Sequence, residues 1–229
     1  MSRSLVLCTS LLLAGIACAA DGGGAPAKPW RDSFTARLEA LALLQSLNAD
    51  LLSHDSATLT LDRWCGSHRL AEPAKIVAER VRDVDKMPTA EQRETLGVTP
   101  TEPIRYRRVR LKCGDHVLSE ADNWYVPSRL TADMNKALDT SDIAFGRAVQ
   151  ALQFRRRTLS AALLWSPLPD GWETTPPARV KEGRPLEVPP YVIQHKAVLA
   201  LPDGTPFSEV VETYTSDVLA FPEPASPGR

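Results

Sequence analysis

Four arginines lie close together in one short stretch rich in β-branched and aromatic residues, at positions 105, 107, 108 and 110. If residues 104–113 form a strand, alternation places Arg107 on the same face as Val109 and Leu111, and Arg108 on the opposite face. An arginine on an apolar face is removed from water and needs an anion nearby. That anion is either an internal carboxylate, which is the commoner case, or the carboxylate of a bound ligand.

Carboxylates are concentrated in the last part of the chain. In an extended segment Glu209 shares a face with Val211, whereas Glu212 shares the other face with Val210. A carboxylate facing a cavity can act as a general acid or base, and on the surface it is an ordinary charge. Arginine and glutamate on neighbouring strands that face one cavity would form a candidate site. A further arginine cluster at 155–157 is typical of a polar strand edge.

Residues 1–20 have the features of a secretory signal peptide: a short positive start, an apolar run and a cleavage site at residues 17–19. The run is too short to span a bilayer, and no transmembrane segment is expected. The sequence therefore predicts a periplasmic or secreted protein with a flexible leader at 21–31. A lipoprotein acylated at Cys18 is the weaker alternative, because Gly15 stands where a large aliphatic residue is expected.

Export permits a disulfide between Cys65 and Cys113, the two cysteines that follow the signal segment. Two buried free thiols are the alternative, because the sequence does not show whether the cysteines approach each other. Cys65 and His68 have the spacing of metal ligands, but the 4 histidines form no second pair, so no metal site is expected. Motifs of nucleotide-binding loops, serine hydrolases and zinc proteases are absent, and no cofactor is expected.

The composition indicates one globular domain. The 229 residues are 43% hydrophobic and 24% charged, with a formal net charge of −1. A dedicated nucleic-acid binder would be basic, so no nucleic-acid partner is expected. We expect a single domain over 32–221 and a disordered tail over 222–229. The proline-rich residues 166–190 are long for an internal loop and predict a lid or a mobile insertion.

Hydrophobic periodicity predicts an α+β fold. Apolar residues recur every three or four positions from Phe34 to Leu51, and a second helix is expected after Asp55 or Ser56, so the N-terminus forms a helical hairpin. Its inward residues are expected to be Leu59, Leu61 and Trp64. Two antiparallel hairpins are expected, residues 104–113 with 117–126 and residues 191–201 with 206–219. This order predicts an antiparallel sheet with helices packed on it.

Five short motifs occur in order between residues 45 and 221. They are Asp55-Ser56-x-Thr58 after an apolar helix, the first hairpin from Arg108 to Val126-Pro127, Phe145-Gly146-Arg147, Phe154-x-Arg156-x-Thr158, and the last hairpin from Asp203-Gly204 to Phe221. Together they resemble the chorismate pyruvate-lyases and the related UTRA domains, which sense ligands in bacterial regulators. The resemblance implies the chorismate lyase-like fold. A signal segment stands where the regulators carry a DNA-binding domain, so transcriptional regulation is not expected.

The resemblance also implies substrate-binding residues. The lyases hold the ring carboxylate of their substrate with an arginine of the first hairpin. Aligned on the cysteine and the Val-Pro pair of that hairpin, this arginine corresponds to Arg108, whereas strand alternation favours Arg107. A β-bulge would reconcile the two assignments. Gly146 and Arg147 are also implied at the substrate.

The catalytic glutamate of the lyases has two candidates in this chain. Counted from Pro206, the position of that glutamate falls on Val211. Glu209 has the matching face, and Glu212 is closer in sequence but has the opposite face. The resemblance therefore leaves both glutamates as candidate catalytic residues.

Two functions follow from the resemblance. The first is an exported chorismate lyase-like enzyme that eliminates pyruvate from chorismate or a related enolpyruvyl ether to give a hydroxybenzoate, without cofactor or metal. The second is a non-catalytic periplasmic protein that binds a small carboxylated, aromatic ligand. The expected partner is a small carboxylated ligand in both cases, and the oligomeric state is left open.

Overall fold

The computed structural model describes residues 30–175 and 183–224. The predicted signal peptide, nearly all of the leader and the last part of the tail lie outside these residues. The helices are α1 (Phe34–Ser53), α2 (Ala57–Ser67), α3 (Ala90–Thr95), α4 (Ala132–Thr140) and α5 (Phe145–Ala148). The strands are β1 (Ile76–Val81), β2 (Arg105–Cys113), β3 (His116–Tyr125), β4 (Arg155–Leu163), β5 (Tyr191–Ala200) and β6 (Pro206–Thr215). Within the described ranges, no helix is both long and apolar enough to cross a membrane.

The strands form one six-stranded sheet in the order β1-β2-β3-β6-β5-β4. All neighbouring strands are antiparallel. The two predicted hairpins are β2–β3 and β5–β6, and the β3–β6 pairing joins them at the centre of the sheet. The predicted α+β class with an antiparallel sheet is confirmed.

The N-terminal helical hairpin consists of α1 and α2. Ser33 caps α1 and Ser56 caps α2, each by accepting a hydrogen bond from a backbone N–H of the first turn. Leu61 and Trp64 of α2 are buried as expected, but Leu59 is 37% exposed. The expectation for Leu59 was wrong because the 3.6-residue period turns that position away from the face that carries Leu61 and Trp64.

A disulfide joins this helical layer to the sheet. It links Cys65 of α2 to Cys113 at the end of β2. Both cysteines are fully buried in the main hydrophobic core. Of the two alternatives that the sequence left open, the structure has the bridge.

The described parts of the proline-rich segment 166–190 pack on the start of α1. Arg37 donates a hydrogen bond to the carbonyl of Pro167 at 2.8 Å, and the rings of Phe34 and Trp172 lie 6.3 Å apart. Leu186 belongs to the main core. These contacts place the described parts of the segment beside α1 and in the main core.

Candidate functional site

A cavity lies between the start of α2, helix α5 and the helix-covered face of the sheet. Apolar side chains from four strands form much of its wall, namely Val109, Leu111, Ala121, Leu199 and Val210. Polar groups also line it, and they are Asp55, Thr58, Arg107, Asn123, Arg156 and Glu212. An apolar wall with a few placed polar groups is typical of a small-molecule site.

Arg107 is the unusual member of this lining because it is buried without a counter-ion. Its exposed fraction is 2%. Its Nη2 donates to the main-chain carbonyl of Ser141 at 3.3 Å, but Nε and Nη1 have no hydrogen-bond partner among the described residues. Burial, with a smaller contribution from the nearby Arg80, lowers the pKa of Arg107 to about 10. Arg107 therefore stays cationic at neutral pH, and the described part of the chain supplies no carboxylate within ion-pair distance.

Arg108 lies on the opposite face of the sheet. Its guanidinium pairs with Glu120 at 2.7 Å and lies 3.6 Å from Asp122. The register shift between β2 and β3 falls at Leu111–Lys112, beyond both arginines, so it does not turn Arg108 inward. The cavity arginine of this hairpin is thus Arg107, as strand alternation favoured, and not Arg108, as the alignment with the lyases implied.

Arg156 is a second buried cation of the cavity, and it has a counter-ion, although its Nε has no hydrogen-bond partner among the described residues. It forms an ion pair with Glu212 at 2.6 Å, with side-chain exposures of 4% and 8%. The hydroxyl of Tyr214 donates to the same carboxylate at 3.1 Å. Sequence reasoning treated the cluster 155–157 as a polar strand edge and missed Arg156 as a cavity residue. The signal available was its place in the Phe154-x-Arg156-x-Thr158 motif.

The two candidate glutamates lie on opposite faces of β6. Glu212 lines the cavity, whereas Glu209 is buried on the other face, where Gln92 donates to it at 3.1 Å and Lys196 lies 3.4 Å away. Of the two candidates, the structure therefore places Glu212 and not Glu209 at the cavity, and a catalytic role for either stays a prediction.

A break in the β5–β6 pairing explains why counting residues from Pro206 led to the face of Glu209 and not to the cavity face. The partners change from Leu199–Ser208 to Ala200–Pro206, so Phe207 is an extra residue in β6. A bulge of this kind disrupts strict alternation. A count that starts at Pro206 therefore does not identify the face of later residues.

Gly146 and Arg147 have different places. Gly146 lines the cavity, and a Cβ at this position would lie 3.1 Å from the hydroxyl of Ser56, so the glycine permits α5 to approach the start of α2. Arg147 does not line the cavity. It donates to the carbonyl of Ile76 at 2.6 Å and pairs with Asp62, which ties α5 to β1 and α2. The implied contact of Arg147 with substrate is thus replaced by a structural role.

Besides Arg156, three polar cavity residues were not selected from the sequence as site residues. Asn123 is 4% exposed and lies directly opposite Arg107 in the β2–β3 pairing. Asp55 accepts a hydrogen bond from the main-chain N–H of Arg156 at 2.8 Å, and Thr58 lies in the first turn of α2. The motif Asp55-Ser56-x-Thr58 marked the last two, but only the sheet order brings Asn123 into the cavity. Among the described residues, no group of three metal-ligating side chains occurs.

The fold was also compared with solved structures. It is similar to PhnF from Mycobacterium smegmatis, with a TM-score of 0.48, 11% identity, and coverage of 90% of this chain and 95% of that chain. It is also similar to the ligand-binding domain of a putative GntR-family transcriptional regulator from Bordetella bronchiseptica, with a TM-score of 0.35, 17% identity, and coverage of 66% and 85%. For the possible transcriptional regulator YydK from Bacillus subtilis, the TM-score is 0.38 at 16% identity, and the match spans 67% of this chain but only 62% of YydK. All three TM-scores are below 0.5, so this likeness carries no conclusion about the function of the chain.

The sequence comparison is more informative about family. No family model matches the chain. The uncharacterized protein y4mC of Sinorhizobium fredii is 59% identical over 196 residues, which cover 85% of this chain and 83% of that protein. At this identity and coverage, the chain belongs to the same family as the uncharacterized protein y4mC.

Proposed function

We propose that the protein binds a small carboxylated, aromatic ligand in the cavity between α2, α5 and the sheet. The observation that carries this proposal is Arg107, a guanidinium that is 2% exposed and has two nitrogens without an acceptor among the described residues. A buried cation is costly unless an anion is near it. A carboxylate can accept two parallel hydrogen bonds from a guanidinium, so it fits this position better than a neutral group.

The remaining wall supports an aromatic or similarly flat apolar body for the ligand. The apolar side chains of Val109, Leu111 and Val210 line the cavity on the sheet side, and Phe145 lines it from α5. The proposed ligand therefore has a carboxylate at the Arg107 end and an apolar ring over the sheet. Following the predicted signal peptide, we propose that binding takes place outside the cytoplasm.

Elimination of pyruvate from an enolpyruvyl ether such as chorismate is the second candidate. The observation in its favour is that Glu212, a candidate proton-transfer group, lies in the cavity wall. Its Oε2 already accepts hydrogen bonds from Arg156 and Tyr214, so this oxygen is engaged by the protein itself. We therefore place binding without turnover ahead of lyase activity.

One set of measurements tests both candidates. Calorimetric titration of the purified protein with benzoate and the hydroxybenzoates is expected to show binding. Arg107→Lys should weaken it by roughly 10- to 100-fold, because hydrogen bonds to charged groups contribute about 1.5–3 kcal/mol. The matched change Arg108→Lys on the opposite face should leave the affinity unaltered. Absence of binding to any of these carboxylates at millimolar concentration would refute the binding function.

The lyase candidate has a separate readout. The protein is incubated with chorismate, and pyruvate is followed over time. The enzyme is favoured if the wild type releases pyruvate and Glu212→Gln does not, although that variant still binds hydroxybenzoate. No release above the spontaneous rate leaves binding as the function.

A further inference from the structure

A buried pair of polar side chains, Asn123 of β3 and Ser208 of β6, stands beside Arg107. Asn123 is 4% exposed and Ser208 is fully buried. The hydroxyl of Ser208 donates to Oδ1 of Asn123 at 2.5 Å. In the β2–β3 pairing Asn123 is the direct cross-strand neighbour of Arg107, and such side chains lie close enough to act on one group.

The hydrogen bond from Ser208 decides which end of the amide faces the cavity. Because Oδ1 receives the serine hydroxyl, the free end of Asn123 is its NH₂ group, which is a donor. The orphaned nitrogens of Arg107 agree with this orientation, since an amide oxygen turned toward Arg107 would give them an acceptor. Two neighbouring side chains therefore present only donors to the cavity wall.

We propose that Asn123 is a specificity-determining residue that binds the ligand carboxylate together with Arg107. The carboxylate accepts two hydrogen bonds from the free guanidinium nitrogens of Arg107, and one of its oxygens also accepts from the amide NH₂ of Asn123. Ser208 is the positioning residue, because it holds the amide in the donating orientation. This inference rests on the binding function proposed above and adds the group that selects a carboxylate over its neutral isosteres.

The neutral amide is essential to this arrangement. An aspartate at position 123 would place a carboxylate opposite Arg107 and pair with it, so that no site would remain for an external carboxylate. A carboxamide ligand, such as benzamide, would turn an NH₂ group toward two donors and leave hydrogen-bonding groups unpaired. The site should therefore discriminate benzoate from benzamide.

The test uses the full chain with benzoate and benzamide as probes, titrated by calorimetry. Asn123→Asp should weaken benzoate binding by more than about 100-fold. It should also raise the thermal midpoint of the free protein, because Arg107 gains a buried partner. Asn123→Ala should weaken benzoate by about 10-fold, as expected for one hydrogen bond to a charged group.

Ser208→Ala should weaken benzoate by about 3- to 10-fold and reduce its discrimination from benzamide, because the amide can then turn its oxygen toward Arg107. Ser119→Ala is the matched control. Ser119 is also a fully buried serine, on the neighbouring strand β3, and it does not line the cavity. That change should alter neither the affinity nor the discrimination.

The outcomes separate this inference from the binding function. If benzoate binds and depends on Arg107 but not on Asn123 or Ser208, the inference is wrong and the binding function stands. If Asn123→Asp binds benzoate as tightly as the wild type, the inference is also wrong. If the wild type binds no carboxylate, the binding function fails and the inference fails with it.

Discussion

The uncompensated charge of Arg107 makes a prediction about stability that needs no ligand. Replacing Arg107 with methionine, an unbranched side chain without charge, should stabilise the free protein. Each tenfold change in a protonation equilibrium corresponds to about 1.4 kcal/mol, so a guanidinium whose pKa falls from its usual, higher value to about 10 costs the folded state about 3 kcal/mol. The change also removes the hydrogen bond to the carbonyl of Ser141, which contributes about 1 kcal/mol. The net expectation is a gain of about 2 kcal/mol.

The assay is equilibrium unfolding in urea, with thermal unfolding as a second measure. For a domain of this size a gain of about 2 kcal/mol corresponds to a rise of about 4–8 °C in the midpoint. Arg108→Met is the matched control. It removes a partly exposed ion pair with Glu120, and it should destabilise the protein by about 1 kcal/mol or less.

The pH dependence follows from the same pKa. The pKa of Arg107 is about 10 in the folded state and higher in the unfolded chain, so the unfolded state binds more protons between the two values. The cost of burying the charge is therefore present in full below pH 10 and is relieved as the pH rises above it. The stability difference between Arg107→Met and the wild type should narrow across that interval. A methionine variant that is less stable than the wild type by more than about 1 kcal/mol at pH 7 would refute the reasoning.

Two further predictions concern the frame around the cavity. Arg147→Ala should destabilise the protein by about 2–3 kcal/mol, because it leaves Asp62 unpaired and the carbonyl of Ile76 without its donor. Titration of the folded fraction should show that the affinity for benzoate changes by less than about threefold. Thiol counting under denaturing, non-reducing conditions should find Cys65 and Cys113 oxidised, and their reduction should cost about 4 kcal/mol for a loop with a sequence separation of 48. Two free thiols, or an Arg147→Ala protein that is fully stable but does not bind benzoate, would contradict these assignments.

The elements of the fold were predictable because their signals are local. Thr89 and Gln92, three positions apart, form a reciprocal capping box at the start of α3. Gly114 and Gly204, in the turns of the two hairpins, adopt positive φ values, which glycine permits. Each of these signals acts within a few residues, so one sequence is enough to read it. The relative order of the hairpins in the sheet is a long-range property and could not be read in this way.

The site could be predicted only where alternation is unbroken. Along β2 the burial pattern alternates strictly from Arg107 to Cys113, and alternation identified the inward arginine where the alignment did not. Along β6 the extra residue at Phe207 breaks the alternation, so a count from Pro206 led to the face of Glu209 and left both glutamates as candidates. Asn123 was out of reach for a different reason, since its contact with Ser208 depends on the pairing of β3 with β6.

The contrast between the two buried arginines is what points to a ligand rather than to a structural role. Arg156 and Arg107 line the same cavity, but Arg156 has Glu212 at 2.6 Å, whereas Arg107 has no carboxylate within ion-pair distance among the described residues. A paired buried arginine is explained by the fold that it holds together. An unpaired one lowers the stability of the free protein, and an anion that binds the folded state would recover this loss. Selection for stability alone would favour a carboxylate at position 123, because it would pair with Arg107. The asparagine at this position leaves Arg107 free for a ligand, so this is the residue at which stability and binding make opposite demands.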